Sequence, residues 1–280
     1  GTITGGTNLV AVQGDPSDDT IFNRGLLDGD VRLREGEDFV DNRGGEITGE
    51  IVLGLDSDVL LAGESVERVD GAGFAEVGDS DNGTDTVDYT ASDSAVDVRL
   101  FLEAGFAGDA AGDVLKNMEN VVGSGHDDLL AGNPSDNVLE GLGGGDLLAG
   151  GQGNDTSDYS ASATGVDVSL WDNAASGGHA AGDSLLDIEN LIGSSRDDTL
   201  TGDDQVNRLE GGGGVDTLTG GAGGDTLNGF GGSDTASYAG GPSAVTVLLF
   251  NGTAEGGHAE GDSVIVIENL IGSAVDGSLA

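Results

Sequence analysis

Aspartate returns every nine residues in two parts of this chain, at Asp128, Asp146 and Asp155 and again at Asp198, Asp216, Asp225 and Asp234, with Asn137 and Asn207 filling the two gaps in the count. In each nine the acid stands sixth, glycine is usually first and often fourth, and an apolar residue tends to stand eighth. A carboxylate at the end of a glycine-containing run suits ligation. Glycine takes left-handed backbone angles at no steric cost, so a six-residue loop can turn its carbonyls inward while the closing Asp adds a charged oxygen.

That chemistry needs elements that bring successive loops together. The three residues after each acid read as a short strand whose middle side chain enters a core, which accounts for Leu130, Leu139, Leu148, Leu200, Leu209, Leu218 and Leu227. One nine then makes one side of a flattened coil, and two make a full turn. Loops two repeats apart stack at the strand spacing of ~4.8 Å. This places Asp128 over Asp146, Asn137 over Asp155, Asp198 over Asp216 over Asp234, and Asn207 over Asp225. Carboxylates that close cannot all remain ionised without a cation between them. Oxygen donors in a flexible loop suit calcium rather than magnesium or zinc. The fold class expected is all-β, a parallel β-roll or β-helix solenoid with stacked calcium-binding loops.

Composition agrees. Among 280 residues there are 54 Gly, 52 acidic and 9 basic side chains, for a net charge of -43. Such a chain repels nucleic acid and anionic membrane surfaces, and resists compaction until cations neutralise it. It has no cysteine for disulfides or thiolate sites, no apolar run of membrane-spanning length, and no charged-then-apolar leader at its start.

The nine-residue pattern resembles the G-G-x-G-x-D-x-U-x repeat of the RTX (repeats in toxin) family. In that family the first and third loop residues give carbonyls and the sixth a carboxylate. The resemblance therefore implies carbonyl donors at Gly141, Gly143, Gly150, Gln152, Gly211, Gly213, Gly220, Ala222, Gly229 and Gly231. "GNPSDN" at 132–137 and "GDDQVN" at 202–207 end in amides and lack the fourth glycine, so calcium is expected to be weak or absent beside them. A longer unit occurs three times, opening at Tyr89, Tyr159 and Tyr238 with the alternating strands Val96, Val98, Leu100; Val166, Val168, Leu170; and Val245, Val247, Leu249. An acid follows each Tyr by 24 residues (Asp113, Asp183, Asp262) and a glutamate by 30 (Glu119, Glu189, Glu268), inside "MENVVGS" or "IENLIGS". This unit is similar to the flank of the β-roll in the carboxyl-terminal domain of serralysin-type secreted proteins. Asp113, Asp183 and Asp262 end loops that could also hold calcium. RTX proteins are exported through type I secretion systems, which implies a secreted, extracellular or cell-surface chain.

Residues 1–62 carry a different period. "NRGLLDGDVRLREGED" and "NRGGEITGEIVLGLDSD" align and set Asp19, Asp38 and Asp58 in register, 19 and 20 residues apart, with an Asn-x-Gly turn on the opposite side of each coil. These three acids are further metal candidates, and Ile21, Leu27, Val31, Leu33, Val40, Ile47, Ile51, Leu53 and Leu60 would fill the inside. The expected organisation is a solenoid over 1–62, a transition over 63–88, and a β-roll over 89–280 with nonapeptide arrays at 123–158, 193–237 and from 272. The chain begins and ends inside a repeat, so the expectation is a segment of a larger protein or a subunit whose ends meet others.

No catalytic constellation stands out. There is no H-E-x-x-H and no G-x-S-x-G, and His126, His179 and His258 read as structural. Phe101, Trp171 and Phe250 each lie twelve residues after a Tyr; packing over the wider part of the coil is the favoured reading and sugar stacking the other. Two functions fit a non-enzymatic calcium binder. One is a rigid rod in a surface layer, filament or adhesin, able to self-associate end to end; the other is the secretion and folding module of an exported hydrolase.

Overall fold

A computed structural model describes residues 3–4, 10–65, 67–72, 83–250, 252–275 and 277–279. Much of the expected transition, residues 73–82, lies outside them. Among the described residues there are short strands, mostly three residues long, and four one-turn 3-10 helices, with no α-helix. The fold is a parallel β-solenoid, and it divides into two compact units, 1–139 and 140–280.

In the first unit successive coils pair in parallel with the expected long period. Thr20–Phe22 pairs with Phe39–Asp41, which pairs with Val59–Leu61, then Thr86–Asp88, then Asn120–Val122. Three residues make a strand here because the middle one is swallowed by the core while the outer two face loops. Val31, Val40, Ile51, Leu53 and Leu60 are fully buried in this way, and Ile21 is half-buried. The Asn-x-Gly turns stack by side-chain amides: Asn23 Nδ2 donates to Asn42 Oδ1 at 2.8 Å, and Asn42 Nδ2 to Glu67 Oε1 at 2.8 Å. Asp41, buried beneath them, accepts from both Arg24 and Arg43, and the paired guanidinium groups hold its carboxyl well below the usual range.

In the second unit the 18-residue coil is explicit. Thr199–Thr201 pairs with Thr217–Thr219 and that with Thr235–Ser237; Asn190–Ile192 pairs with Arg208–Glu210 and that with Thr226–Asn228. Leu200 lies on Leu218, and Leu191 on Leu209 on Leu227, all with no exposed surface. Each fully buried Leu contributes about 1.5–3 kcal/mol. The longer units interrupt this regular coiling with an antiparallel hairpin: Asp97–Arg99 against Ala104–Ala107, Asp167–Ser169 against Ala174–Ser176, and Thr246–Leu248 against Thr253–Glu255. Their inner residues are buried as the alternation requires, Leu249 excepted, which is half-buried. Phe101, Trp171 and Phe250 at the hairpin turns are 56%, 65% and 79% exposed, which corrects the packing expectation. The turn carries them outward, beyond the last core position of each strand.

Candidate metal centre

The acid that closes each loop is tied to the coil before it. The backbone N–H of Asp198 donates to Asp216 Oδ1 and that of Asp216 to Asp234 Oδ1, each at 2.9 Å; the N–H of Asn207 donates to Asp225 Oδ1 at 2.9 Å. The first unit repeats the device: Asp19 to Asp38 and Asp38 to Asp58 at 2.7 Å, then Asp58 to Asp85 at 2.9 Å. Where a long unit intervenes, a glutamate takes the place of the aspartate. Asp85, Asp155 and Asp234 donate to Oε2 of Glu119, Glu189 and Glu268. The fixed Tyr-to-Glu spacing of the sequence therefore serves the ladder, as does Asp85, which periodicity did not reveal.

The second oxygen of each acid separates the loops into two kinds. In one kind the residue at the second loop position caps its own acid. Ser124 N–H donates to Asp128 Oδ2 at 2.5 Å and Ser194 N–H to Asp198 Oδ2 at 2.6 Å, with both serine hydroxyls also on the carboxylates. Asp15 N–H does the same for Asp19. The amide-closed loops follow suit, with Asn133 N–H on Asn137 Oδ1 and Asp203 N–H on Asn207 Oδ1. In the other kind the second residue takes a left-handed conformation, as Gly212 (φ 93°), Gly221 (φ 104°) and even Phe230 (φ 60°) do. Its N–H then no longer reaches the carboxylate. Oδ2 of Asp216, Asp225 and Asp234 is buried without a hydrogen-bond partner. Leu142 and Gly151, ahead of Asp146 and Asp155, share the left-handed conformation.

An orphaned carboxylate oxygen is costly, roughly 1–3 kcal/mol and more when charged. Burial pushes Asp216 up to about 6 and Asp225 to about 7, with neighbouring carboxylates adding to the shift. These oxygens lie over the first glycine of their own loops. A Cβ on Gly211, Gly220 or Gly229 would collide with Oδ2 of Asp216, Asp225 or Asp234, and Gly141 and Gly150 are confined by Asp146 and Asp155 in the same way. The third-position residues Gly143, Gln152, Gly213, Ala222 and Gly231 are half-buried or exposed, so each loop opens outward. Two glycine loops stack directly: Gly213–Gly214 pairs with Gly231–Gly232, and Gly231 N–H donates to the Gly212 carbonyl at 2.9 Å. Among the described residues no three His, Asp or Glu side chains converge on one point. A cation held here would therefore draw on backbone carbonyls as well as Asp216 and Asp234. Buried anionic oxygens, glycine-lined turns and hard donors fit calcium.

The remaining candidates have other partners. Asp113, Asp183 and Asp262 accept Tyr89, Tyr159 and Tyr238 hydroxyls at 2.7, 3.1 and 3.0 Å through Oδ2, while Oδ1 takes the N–H of Glu67, Asp146 and Asp225. The 24-residue spacing is thus a buried Tyr–Asp hydrogen bond. Asp38 resembles the open class: it is 2% exposed, Oδ2 has no partner, and burial raises it to about 6. Asp58 sits fully buried in the same ladder. Asn137 and Asn207 are explained by the glutamates. Their Nδ2 groups donate to the carbonyls of Glu119 and Glu189 at 2.8 Å, because Asn120 and Asn190 side chains have taken the N–H groups of Val138 and Arg208 that would otherwise bond there. An aspartate would oppose oxygen to oxygen. His179 and His258 occupy matching 3-10 turns, and the N–H of His179 bonds Ser162 Oγ as that of Asp109 bonds Ser92 Oγ.

Comparison with known proteins agrees with this geometry. No curated protein matches the chain. The model of the RTX calcium-binding nonapeptide repeat, in four copies, matches residues 122–156, 186–218 and 210–242. Through these residues the chain is built of RTX calcium-binding repeats and belongs to that repeat family.

Proposed function

We propose that this chain is a calcium-dependent structural segment of a secreted bacterial protein, that calcium enters the left-handed loops in preference to the capped ones, and that the folded product serves as a stiff surface element. The observation that carries the reading is the set of buried, partnerless Oδ2 atoms of Asp216, Asp225 and Asp234 above glycine turns. The first ion belongs between loops 211–216 and 229–234, where two such carboxylates and two glycine turns meet. Asp146 and Asp155 close loops of the same backbone type, and Asp38 is the candidate of the first unit. Asp128, Asp198, Asp19, Asp113, Asp183 and Asp262 hold the coil through protein hydrogen bonds.

Linkage turns these sites into a folding switch. Each contributes RT ln(1 + [Ca]/Kd), about 2.7 kcal/mol at a hundredfold excess over Kd. A chain with net charge -43 stays open where calcium is scarce and folds where it is plentiful. That behaviour suits export unfolded through a type I system and trapping outside the cell. The long-period coils of residues 20–61, outside the matched repeats, favour a rod over a carrier module of an exported hydrolase. Circular dichroism during a calcium titration tests the switch: coil in chelator and β structure with millimolar calcium are expected, and β structure indifferent to chelation refutes it. Electron microscopy of the calcium-loaded chain separates the roles, since end-to-end polymers support the rod and monodisperse particles the carrier.

A further inference from the structure

In the second unit, two of the outward hairpins wall a trough whose floor is the regular sheet. Trp171 stands at the turn after strand Asp167–Ser169; Gly240 and Pro242 follow strand Thr235–Ser237, and His258 lies in the 3-10 turn Gly257–Ala259. Between the walls run Thr199–Thr201 and Thr217–Thr219, so the two wall strands are three strand spacings, ~14 Å, apart. The cleft measures about 470 Å³ and is lined by Trp171, Thr201, Thr219, Asp204, Pro242 and His258.

Trp171 is the one tryptophan of the chain and is 65% exposed. Leaving so large a ring in water forgoes the stabilisation its burial would give. The other two hairpins present exposed Phe101 and Phe250 at the same place, so the feature recurs with the unit and is not one stray side chain. The floor supplies Thr201 and Thr219, whose hydroxyls both donate and accept, and the rim supplies the Asp204 carboxylate. A ligand for this trough needs an apolar face for the indole, several hydroxyls for the floor and rim, and no negative charge, because a chain of net charge -43 repels anions, a second copy of itself included.

We infer that the trough between Trp171 and His258 binds a neutral carbohydrate chain, with a sugar ring stacked on Trp171. Its single tryptophan makes the protein its own reporter. The calcium-loaded full chain is titrated with neutral cello-, manno- and galacto-oligosaccharides and, as comparator, an oligogalacturonate of equal length. A saturable change in Trp171 fluorescence with at least one neutral series and none with the uronate is expected. Thr219→Val should weaken that response, and Trp171→Ala should lower affinity by calorimetry at least about tenfold with the β circular dichroism retained. Three results overturn the inference: no saturable response to any neutral series, equal binding of the uronate, or a fluorescence change that follows protein concentration alone, which would assign the trough to a second copy. The calcium-dependent folding signal is read separately, so it stands or falls independently.

Discussion

Replacing Asp216 by Asn should change stability in opposite directions with and without calcium. With chelator, Asp216 Oδ2 is a buried anionic oxygen without a partner, near Asp198 and Asp234. Asn keeps an acceptor for the Asp198 N–H, now 2.9 Å from Oδ1, and removes the charge. Relief of an orphaned polar group is worth about 1–3 kcal/mol, so Asp216→Asn should stabilise the calcium-free fold by that order. With calcium the same change removes one charged ligand from the 211–216 and 229–234 pair. Losing one site costs about 2.7 kcal/mol at a hundredfold excess of calcium over Kd, which exceeds the relief at the middle of its range. Urea unfolding followed by circular dichroism, run in chelator and in millimolar calcium, reads both signs, and calorimetry counts the ions. The midpoint should rise in chelator, fall in calcium, and the stoichiometry should drop by one. A shift of the same sign in both media would refute the assignment of Oδ2 to a cation.

The capped loops behave differently. Asn207→Asp sets a carboxylate against the Glu189 carbonyl, now 2.8 Å from the amide, and should cost about 1–3 kcal/mol in chelator by urea unfolding. Tyr159→Phe strips the hydroxyl from a buried Asp183 oxygen and should cost a similar amount while leaving the calcium count unchanged by calorimetry. Acidity substitutes for calcium in part. Folding raises Asp216 to about 6 and Asp225 to about 7 from an unfolded carboxyl near ~3.9, so the folded chain binds protons that the unfolded chain has released. In chelator, stability should therefore be greatest at the acid end and fall as pH rises through 6 to 7, whereas calcium-loaded stability should rise over the same window as protons stop competing. Circular dichroism at a series of pH values, with and without calcium, gives both slopes.

The period of the chain was legible because it is local. Nine residues carry a turn, an acid and one inward side chain, and the core positions Leu200, Leu209, Leu218 and Leu227 follow from counting. The same counting aligned Asp19, Asp38 and Asp58, which the ladder joins one to the next. It also treated all sixth-position acids alike, and there the reading stopped short. Asp198 and Asp216 stand in the same repeat position, yet Ser194 caps the first while the left-handed Gly212 leaves the second open. A serine or glycine at the second loop position was the available signal. Asn207 was read as a weakened ligand and is in addition the donor that closes the seam at Glu189.

By itself the sequence determined the coil length, the inward face, the polyanionic character and the loops able to offer oxygen to an ion, since each of these is set within one repeat. Only the tertiary structure decided which oxygens remain open, which acids belong to tyrosines, and that Trp171 faces solvent. The partners responsible come from other coils, 18 residues away for Asp198 and Asp216, 24 for Tyr159 and Asp183, and 46 for Glu67 and Asp113. A buried carboxylate's chemistry is fixed by what reaches its second lone-pair oxygen, and that is a property of stacking.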